Sequence, residues 1–146
     1  MLKVVNYSTA CASSVGQRAA LHALGEGREP FEEMRRRFSR RVDLVYNRLA
    51  RMEGVRVLKP SGTFYIFADF SRYAKDSRAF ALDLLEREQV VVVPGYAFGP
   101  CGEGWVRIAC TVDAERLSVA MARLERYLAG LREREWAESE GEKRGH

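Results

Sequence analysis

The chain has 146 residues, of which 47% are hydrophobic and 30% charged, a balance typical of a folded domain and not of a disordered chain. No apolar run approaches the roughly 18 residues of a membrane-spanning helix, and the first residues lack the apolar segment of a signal peptide. Three scattered cysteines and two histidines without partners at ligand spacing predict neither a disulfide scaffold nor a metal site. We therefore expect a cytoplasmic protein without a bound metal.

The first third of the chain predicts two helices. Ser13 or Ser14 can cap a helix that ends near Leu24, before the glycines at 25 and 27. A second helix is expected to begin with Pro30, since proline suits a first helical position. Its apolar residues recur at spacings of three and four, which predicts one apolar stripe along the helix; they are Phe31, Met34, Phe38, Val42, Val45, Leu49 and Met52.

The rest of the chain predicts strands alternating with helices. Residues 55–58 and 63–70 read as a hairpin around a Pro-Ser-Gly turn. A helix capped by Asp76 or Ser77 follows, then strands at 90–93 and 105–111 with a glycine-rich loop between them, and a last helix capped by Asp113. Helices on one face of a mostly antiparallel sheet make an α+β, two-layer domain.

Three short strings carry a resemblance to a known family. The string KPSGTFY at 59–65 resembles the P-x-G-x-F-Y turn of class I/II aminotransferases, and VVVPGYAFG at 91–99 resembles their V-x-V-x-P-G-x-x-F-G segment. The string GWVRI at 104–108 resembles their G-x-x-R-[IL] strand. Residues 7–17 resemble the stretch that follows the cofactor lysine. The chain is thus similar to the C-terminal part of the fold-type I, pyridoxal-phosphate-dependent aminotransferases, and its fold is expected to be that of their small domain.

The resemblance implies three substrate-binding residues: Arg107, Gly62 and Phe64. In the family the strand arginine binds the α-carboxylate of an amino acid, which a planar guanidinium meets with two parallel hydrogen bonds. Gly62 would let the backbone approach the substrate, and Phe64 would line the pocket. Two plainer readings stay open: Arg107 could face solvent or join a structural ion pair, and Gly62 could simply supply a positive φ. Likewise, the loop at 95–99 is either a flexible surface loop or a segment beside the active-site mouth.

The resemblance also implies pyridoxal phosphate as cofactor, together with an amino acid and a 2-oxo acid as substrates of the complete enzyme. Such enzymes need a lysine that forms a Schiff base with the cofactor. None of Lys3, Lys59, Lys75 and Lys143 stands in the S-x-x-K setting of the family. We therefore expect no catalytic, cofactor-binding or metal-binding residue in this chain, no covalent cofactor on the chain alone, and completion by a large domain or homodimer partner.

The same resemblance implies three regions in the chain. Residues 1–28 would be the connection to a large domain with an interface helix, residues 29–131 the small domain, and residues 132–146 a polar, frayed tail. The alternative function is a small basic nucleic-acid-binding domain, because five arginines crowd residues 35–41 and the strand at 64–67 is aromatic. Glutamates four residues before two of these arginines weaken that alternative, since Glu32 can pair with Arg36 and Glu33 with Arg37.

Overall fold

The computed structural model describes residue 8, residues 12–25 and residues 28–144, and for residues 135–144 it describes the backbone only. The predictions for Lys3, for most of residues 7–11 and for the side chain of Lys143 lie outside this part. The chain divides into two compact units, Met1–Arg37 and Phe38–His146. The first contains helix α1, Ser14–Gly25, and the start of helix α2, Arg28–Leu49.

Helix α1 has no buried residue. Its start is held by Ser13, whose side-chain oxygen accepts a hydrogen bond from the backbone N–H of Gly16 at 3.5 Å. Helix α2 begins two residues earlier than predicted, so Pro30 is its third residue. That position is compatible with proline because the first four backbone N–H groups of a helix have no partner within it.

The predicted apolar stripe of α2 is buried only in its second half. Val42, Val45 and Leu49 are buried, as is Met52 after the helix end, whereas Phe31 and Met34 are exposed. Periodicity identifies the face of a helix that can be covered, and the extent of the cover depends on other elements.

The second unit is built on a four-stranded antiparallel sheet in the order β1-β2-β4-β3. Strand β1 is Arg56–Val57, β2 is Tyr65–Asp69, β3 is Val93–Pro94 and β4 is Trp105–Ala109. Strands β1, β2 and β4 lie within their predicted ranges and are shorter, whereas β3 shares only Val93 with the predicted strand at 90–93 and continues into Pro94. In the β1–β2 hairpin only Arg56 with Asp69 and Val57 with Ala68 are paired, so residues 58–64 form a broad connection.

The sheet has one face toward the helices and one face away from them. Ile66 and Ala68 of β2, with Val106 and Ile108 of β4, are buried in one hydrophobic core with residues of α2 and of the two later helices. Side chains alternate along a strand, so the residues between these, which include Arg107, lie on the opposite face. This arrangement confirms the predicted α+β architecture of helices on an antiparallel sheet.

Helix α3 spans Ser77–Glu88 and helix α4 spans Ala114–Arg144. Both predicted caps are present: the Asp76 carboxylate accepts from two backbone N–H groups at the start of α3, and the Asp113 carboxylate accepts from Arg116 N–H at 2.8 Å. Helix α4 continues past Leu131, where its apolar face ends, because the polar residues that follow are good helix formers. No helix in the described ranges combines the length and apolarity needed to cross a membrane.

Candidate functional site

Arg107 lies in the middle of β4, between Phe67 on β2 and Val93 on β3. Its side chain is on the sheet face that points away from the helices. The guanidinium carbon lies 4.3 Å from the centre of the Tyr65 ring and 4.9 Å from the centre of the Phe98 ring. Both distances are within the range of an attractive cation–π contact, so the charge lies against two aromatic rings.

The guanidinium of Arg107 has no acidic partner among the described side chains. Its Nε atom is buried and makes no hydrogen bond to any described residue. Other arginines of the unit are paired, such as Arg56 with Asp69 and Arg126 with Glu88. A buried donor without an acceptor costs free energy, and an external carboxylate has the charge and planar geometry to supply the acceptor.

More aromatic rings surround this site. Phe67 stacks on Trp105, with ring centres 5.2 Å apart, and meets Phe98 edge-on at 5.8 Å. Phe64 lies 4.4 Å from the ring centre of Tyr65, so it is one ring removed from the guanidinium, and its other neighbour is Phe38 at 5.3 Å. The structure thus brings Phe64 near Arg107 through Tyr65, and the role of Phe64 as a pocket wall stays a prediction.

The glycine-rich loop brings Phe98 to the site. It consists of two short 3-10 turns, Gly95–Phe98 and Pro100–Gly102. Gly95 and Gly102 are buried against each other: a Cβ at Gly95 would lie 1.9 Å from the carbonyl oxygen of Gly102. No side chain larger than hydrogen fits at this contact, so the base of the loop is closely packed.

Glu103 joins this loop to helix α3. Its carboxylate accepts hydrogen bonds from the backbone N–H of Ser77 at 2.6 Å and from that of Gly104 at 3.3 Å. The Ser77 hydroxyl in turn accepts from the backbone N–H of Tyr96 at 3.3 Å. The Ser77 N–H holds the pKa of Glu103 below its usual value, which means that the charged carboxylate is the bound form.

Gly62 is exposed, and a Cβ at this position would meet no atom within 4 Å. The positive φ of this turn, 66°, belongs to Thr63. The plainer reading of Gly62, that it supplies a positive φ, is therefore wrong, because the left-handed conformation falls one residue later. The approach of the Gly62 backbone to a substrate stays a prediction.

The described lysines do not fit a pyridoxal-phosphate imine site. Lys59 is exposed and pairs with Asp43 at 2.8 Å, and Lys75 is exposed just before α3. A lysine that forms an imine needs a desolvated setting that lowers its pKa, and the pKa of Lys59 is instead raised by the hydrogen bond to Asp43. In the same described part, no three His, Cys, Asp or Glu side chains are grouped as a metal site would require.

Two site residues, Tyr65 and Phe98, were not among those chosen from the sequence. Both occur in the strings that carry the family resemblance, at 59–65 and 91–99. The period of two along a strand could have placed Tyr65 on one face with Phe67. The contact of Tyr65 and Phe98 with one guanidinium depends on the strand order and on the loop, neither of which a local pattern contains.

Comparisons with known proteins agree with the resemblance. Residues 2–124 match the family described as aminotransferase class I and II. The chain is 41% identical over 133 residues to a probable N-acetyl-LL-diaminopimelate aminotransferase of Bacillus subtilis, covering 91% of this chain and 34% of that protein. It is 39% identical to an aspartate aminotransferase of Pyrococcus horikoshii, covering 89% and 34%.

Solved structures give the same result. An aromatic aminotransferase from Pyrococcus horikoshii superposes with a TM-score of 0.80 at 41% identity, over 88% of this chain and 35% of that one. An aspartate aminotransferase from Thermotoga maritima superposes with a TM-score of 0.76 at 35% identity, over 87% and 32%. The chain therefore spans about a third of the length of these relatives. None of these findings supports a nucleic-acid-binding domain, and the chain belongs to the class I and II aminotransferases.

Proposed function

We propose that this chain supplies the C-terminal part of a pyridoxal-phosphate-dependent aminotransferase and binds the α-carboxylate of the substrate through Arg107. The reaction of the complete enzyme moves an amino group from an amino acid to a 2-oxo acid. The observation that carries the proposal is the guanidinium of Arg107. It lies on the sheet face away from the helices, and its Nε is buried and finds no hydrogen-bond acceptor in the part of the chain that the structure describes.

Charge and geometry favour a carboxylate as the ligand. A guanidinium and a carboxylate can share two parallel hydrogen bonds, which set the orientation of the ligand as well as its position. Each charge-assisted bond contributes about 1.5–3 kcal/mol in a site from which water is excluded. Two aromatic rings lie against the Arg107 guanidinium, and apolar neighbours of this kind strengthen a charge-assisted hydrogen bond by displacing water.

The names of the relatives are compatible with this role. They include an aspartate aminotransferase and an aromatic aminotransferase. Aspartate and aromatic amino acids differ in their side chains but share an α-carboxylate. A residue that binds the carboxylate suits all of these substrates, so the proposal for Arg107 does not depend on which amino acid the complete enzyme uses.

The chemistry of amino transfer belongs, in this proposal, to the remainder of the enzyme. Because the described lysines do not fit an imine site, the Schiff base with pyridoxal phosphate is assigned to a large domain, in the same polypeptide or in a partner. The chain alone is expected to be inactive. Its contribution is to bind the carboxylate and so orient the substrate toward the reacting centre.

The test is Arg107→Lys in an enzyme assembled by joining or co-expressing this chain with a lysine-bearing large domain of the family. Lysine keeps the charge but loses the planar fork. Breaking a buried charged hydrogen-bond pair typically costs several kcal/mol, so kcat/KM for an amino acid should fall by at least about a hundredfold. Cofactor absorbance should not change. Arg56→Lys, on the exposed edge of the same sheet, is the matched control and should retain activity.

An amine that lacks the carboxylate distinguishes binding from folding. This substrate never uses the guanidinium, so Arg107→Lys and the parent enzyme should convert it at similar rates. Equal impairment of the amine and the amino acid would mean that Arg107 has a structural role. Full amino-acid turnover in Arg107→Lys would contradict the proposed carboxylate site.

A further inference from the structure

We propose that Tyr65 and Phe98 are positioning residues that clamp the Arg107 guanidinium between their rings, so that it meets a carboxylate in one fixed orientation. This inference rests on the carboxylate role proposed above for Arg107. The two rings come from different elements, Tyr65 from β2 and Phe98 from the 3-10 turn after β3.

The contact distances support a clamp. The guanidinium carbon is 4.3 Å from one ring centre and 4.9 Å from the other. The negative face of an aromatic ring attracts a cation, and a flat guanidinium also stacks on such a face. A guanidinium clamped in this way would keep its plane, whereas an arginine side chain in open solvent samples many rotamers.

The ring contacts leave the donors of the guanidinium for the ligand. Arginine carries five N–H donors in a rigid fork. The Nε donor is without an acceptor in the described part of the chain, so a carboxylate that meets the fork through Nε and one Nη group would supply it. The rings hold the plane of the guanidinium before a ligand arrives. The arginine side chain therefore loses its conformational entropy when the protein folds, and ligand binding does not require this loss again.

The clamp is itself supported on both sides. Phe98 meets Phe67 edge-on at 5.8 Å, and its turn starts at the tight contact of Gly95 with Gly102. Tyr65 contacts Phe64 at 4.4 Å. The contact of Tyr65 with Arg107 is through the ring, so Tyr65→Phe should preserve the clamp, while Tyr65→Leu and Phe98→Leu should each open one side of it.

The experiment observes the Nε–H signals of arginine in the ¹⁵N-labelled full chain by NMR. Arg107→Lys identifies the Arg107 signal by its disappearance. In the parent and in Tyr65→Phe this signal should lie upfield of the other arginine signals, because the Arg107 guanidinium lies over two ring faces. The upfield shift should shrink in Tyr65→Leu and in Phe98→Leu. Tyr96→Leu, an exposed aromatic residue of the same turn, is the matched control and should leave the signal in place.

Each variant is then titrated with acetate, and with acetamide as the uncharged counterpart. Acetate should move the Arg107 signal of the parent and acetamide should not. The leucine variants at 65 and 98 should each bind acetate about two- to tenfold more weakly, as expected from losing one preorganising contact. Tyr65→Phe and Tyr96→Leu should match the parent. Loss of stability alone would lower the melting temperature without changing the acetate affinity of the folded chain.

Two adverse results have different meanings. If acetate moves the Arg107 signal equally in the parent and in both leucine variants, the clamp is wrong and the carboxylate role of Arg107 stands. If the parent signal lies upfield but does not respond to acetate, the carboxylate role is wrong.

Discussion

Two arginines of the sheet show how surroundings decide what a guanidinium can do. Arg56 is 80% exposed and pairs with Asp69. Burial alone would raise the pKa of Asp69, but hydrogen bonds from Ser71 and Arg56 outweigh burial and lower it, so this carboxylate is charged and satisfied. Arg107 has aromatic rings in place of a carboxylate. An arginine that contacts two rings, and no acidic side chain in the described ranges, keeps its charge available for an external anion.

The close contact of Gly95 with Gly102 predicts that Gly95→Ala destabilises the chain. The new Cβ would fall 1.9 Å from the Gly102 carbonyl oxygen, which is backbone and cannot rotate away. Overpacking of this kind costs about 1–3 kcal/mol. Urea unfolding followed by circular dichroism measures the change in the free energy of unfolding.

Gly62→Ala is the matched control for this prediction. Its Cβ would meet no atom within 4 Å, and its φ is not positive. The free energy of unfolding should therefore stay within about 0.5 kcal/mol of the parent value. If Gly95→Ala were as stable as the parent, the contact between Gly95 and Gly102 would not be as close as described here.

At the scale of elements, local sequence patterns predicted the helix caps and the inward and outward faces of the strands, because both depend on residues close in sequence. The caps Asp76 and Asp113 were predicted from residue type and hydrogen-bond the backbone at the starts of α3 and α4. The alternation in β2 separates buried Ile66 and Ala68 from the outer residues. The half-covered stripe of α2 was not predictable, because the exposure of Phe31 depends on what packs against it and not on its spacing.

The candidate site was predictable only in part for the same reason. Arg107 was identified from a family string, since its strand alone left a solvent-facing or ion-paired arginine open. Its ring contacts with Tyr65 and Phe98 join β4 to β2 and to a turn. Such contacts follow from strand order and loop path, and no spacing rule within one element reveals them.

The link from Glu103 to the start of α3 predicts an acid-sensitive contribution to stability. The folded-state pKa of Glu103 is below its ordinary value because Ser77 N–H donates to the carboxylate. A lowered folded-state pKa means that the contribution is present above the unfolded-state pKa, about 4.3, and is lost as pH falls through the folded-state value. Glu103→Gln keeps an acceptor for Ser77 but does not titrate.

Urea unfolding at several pH values between 7 and 3 tests this. The variant should be less stable than the parent at neutral pH, because a neutral acceptor binds the N–H more weakly, and the difference should shrink in acid. Glu86→Gln, on the exposed side of α3, is the control and should follow the parent. A stability difference that stays constant down to the lowest pH would mean that the Glu103 charge is not the cause.

At the scale of the molecule, the chain corresponds to about a third of its relatives' length. The first unit exposes large apolar side chains, and large apolar patches on a protein usually mark an interface. These side chains are Val15, Leu21, Leu24, Phe31 and Met34. In the proposed complete enzyme a large domain would cover them.

The isolated chain is therefore expected to self-associate through this first unit. Light scattering should give a mass that rises with concentration, and a hydrophobic dye should bind. Leu24→Glu combined with Phe31→Glu should reduce both, because the charges oppose burial of the patch. Leu82→Glu is the matched control: Leu82 is an exposed leucine on α3, outside the patch, and its change should leave association intact. A monomer whose mass is independent of concentration and which binds no dye would contradict the predicted self-association. If Leu82→Glu reduced association as much as the double variant does, the associating surface would lie outside the first unit.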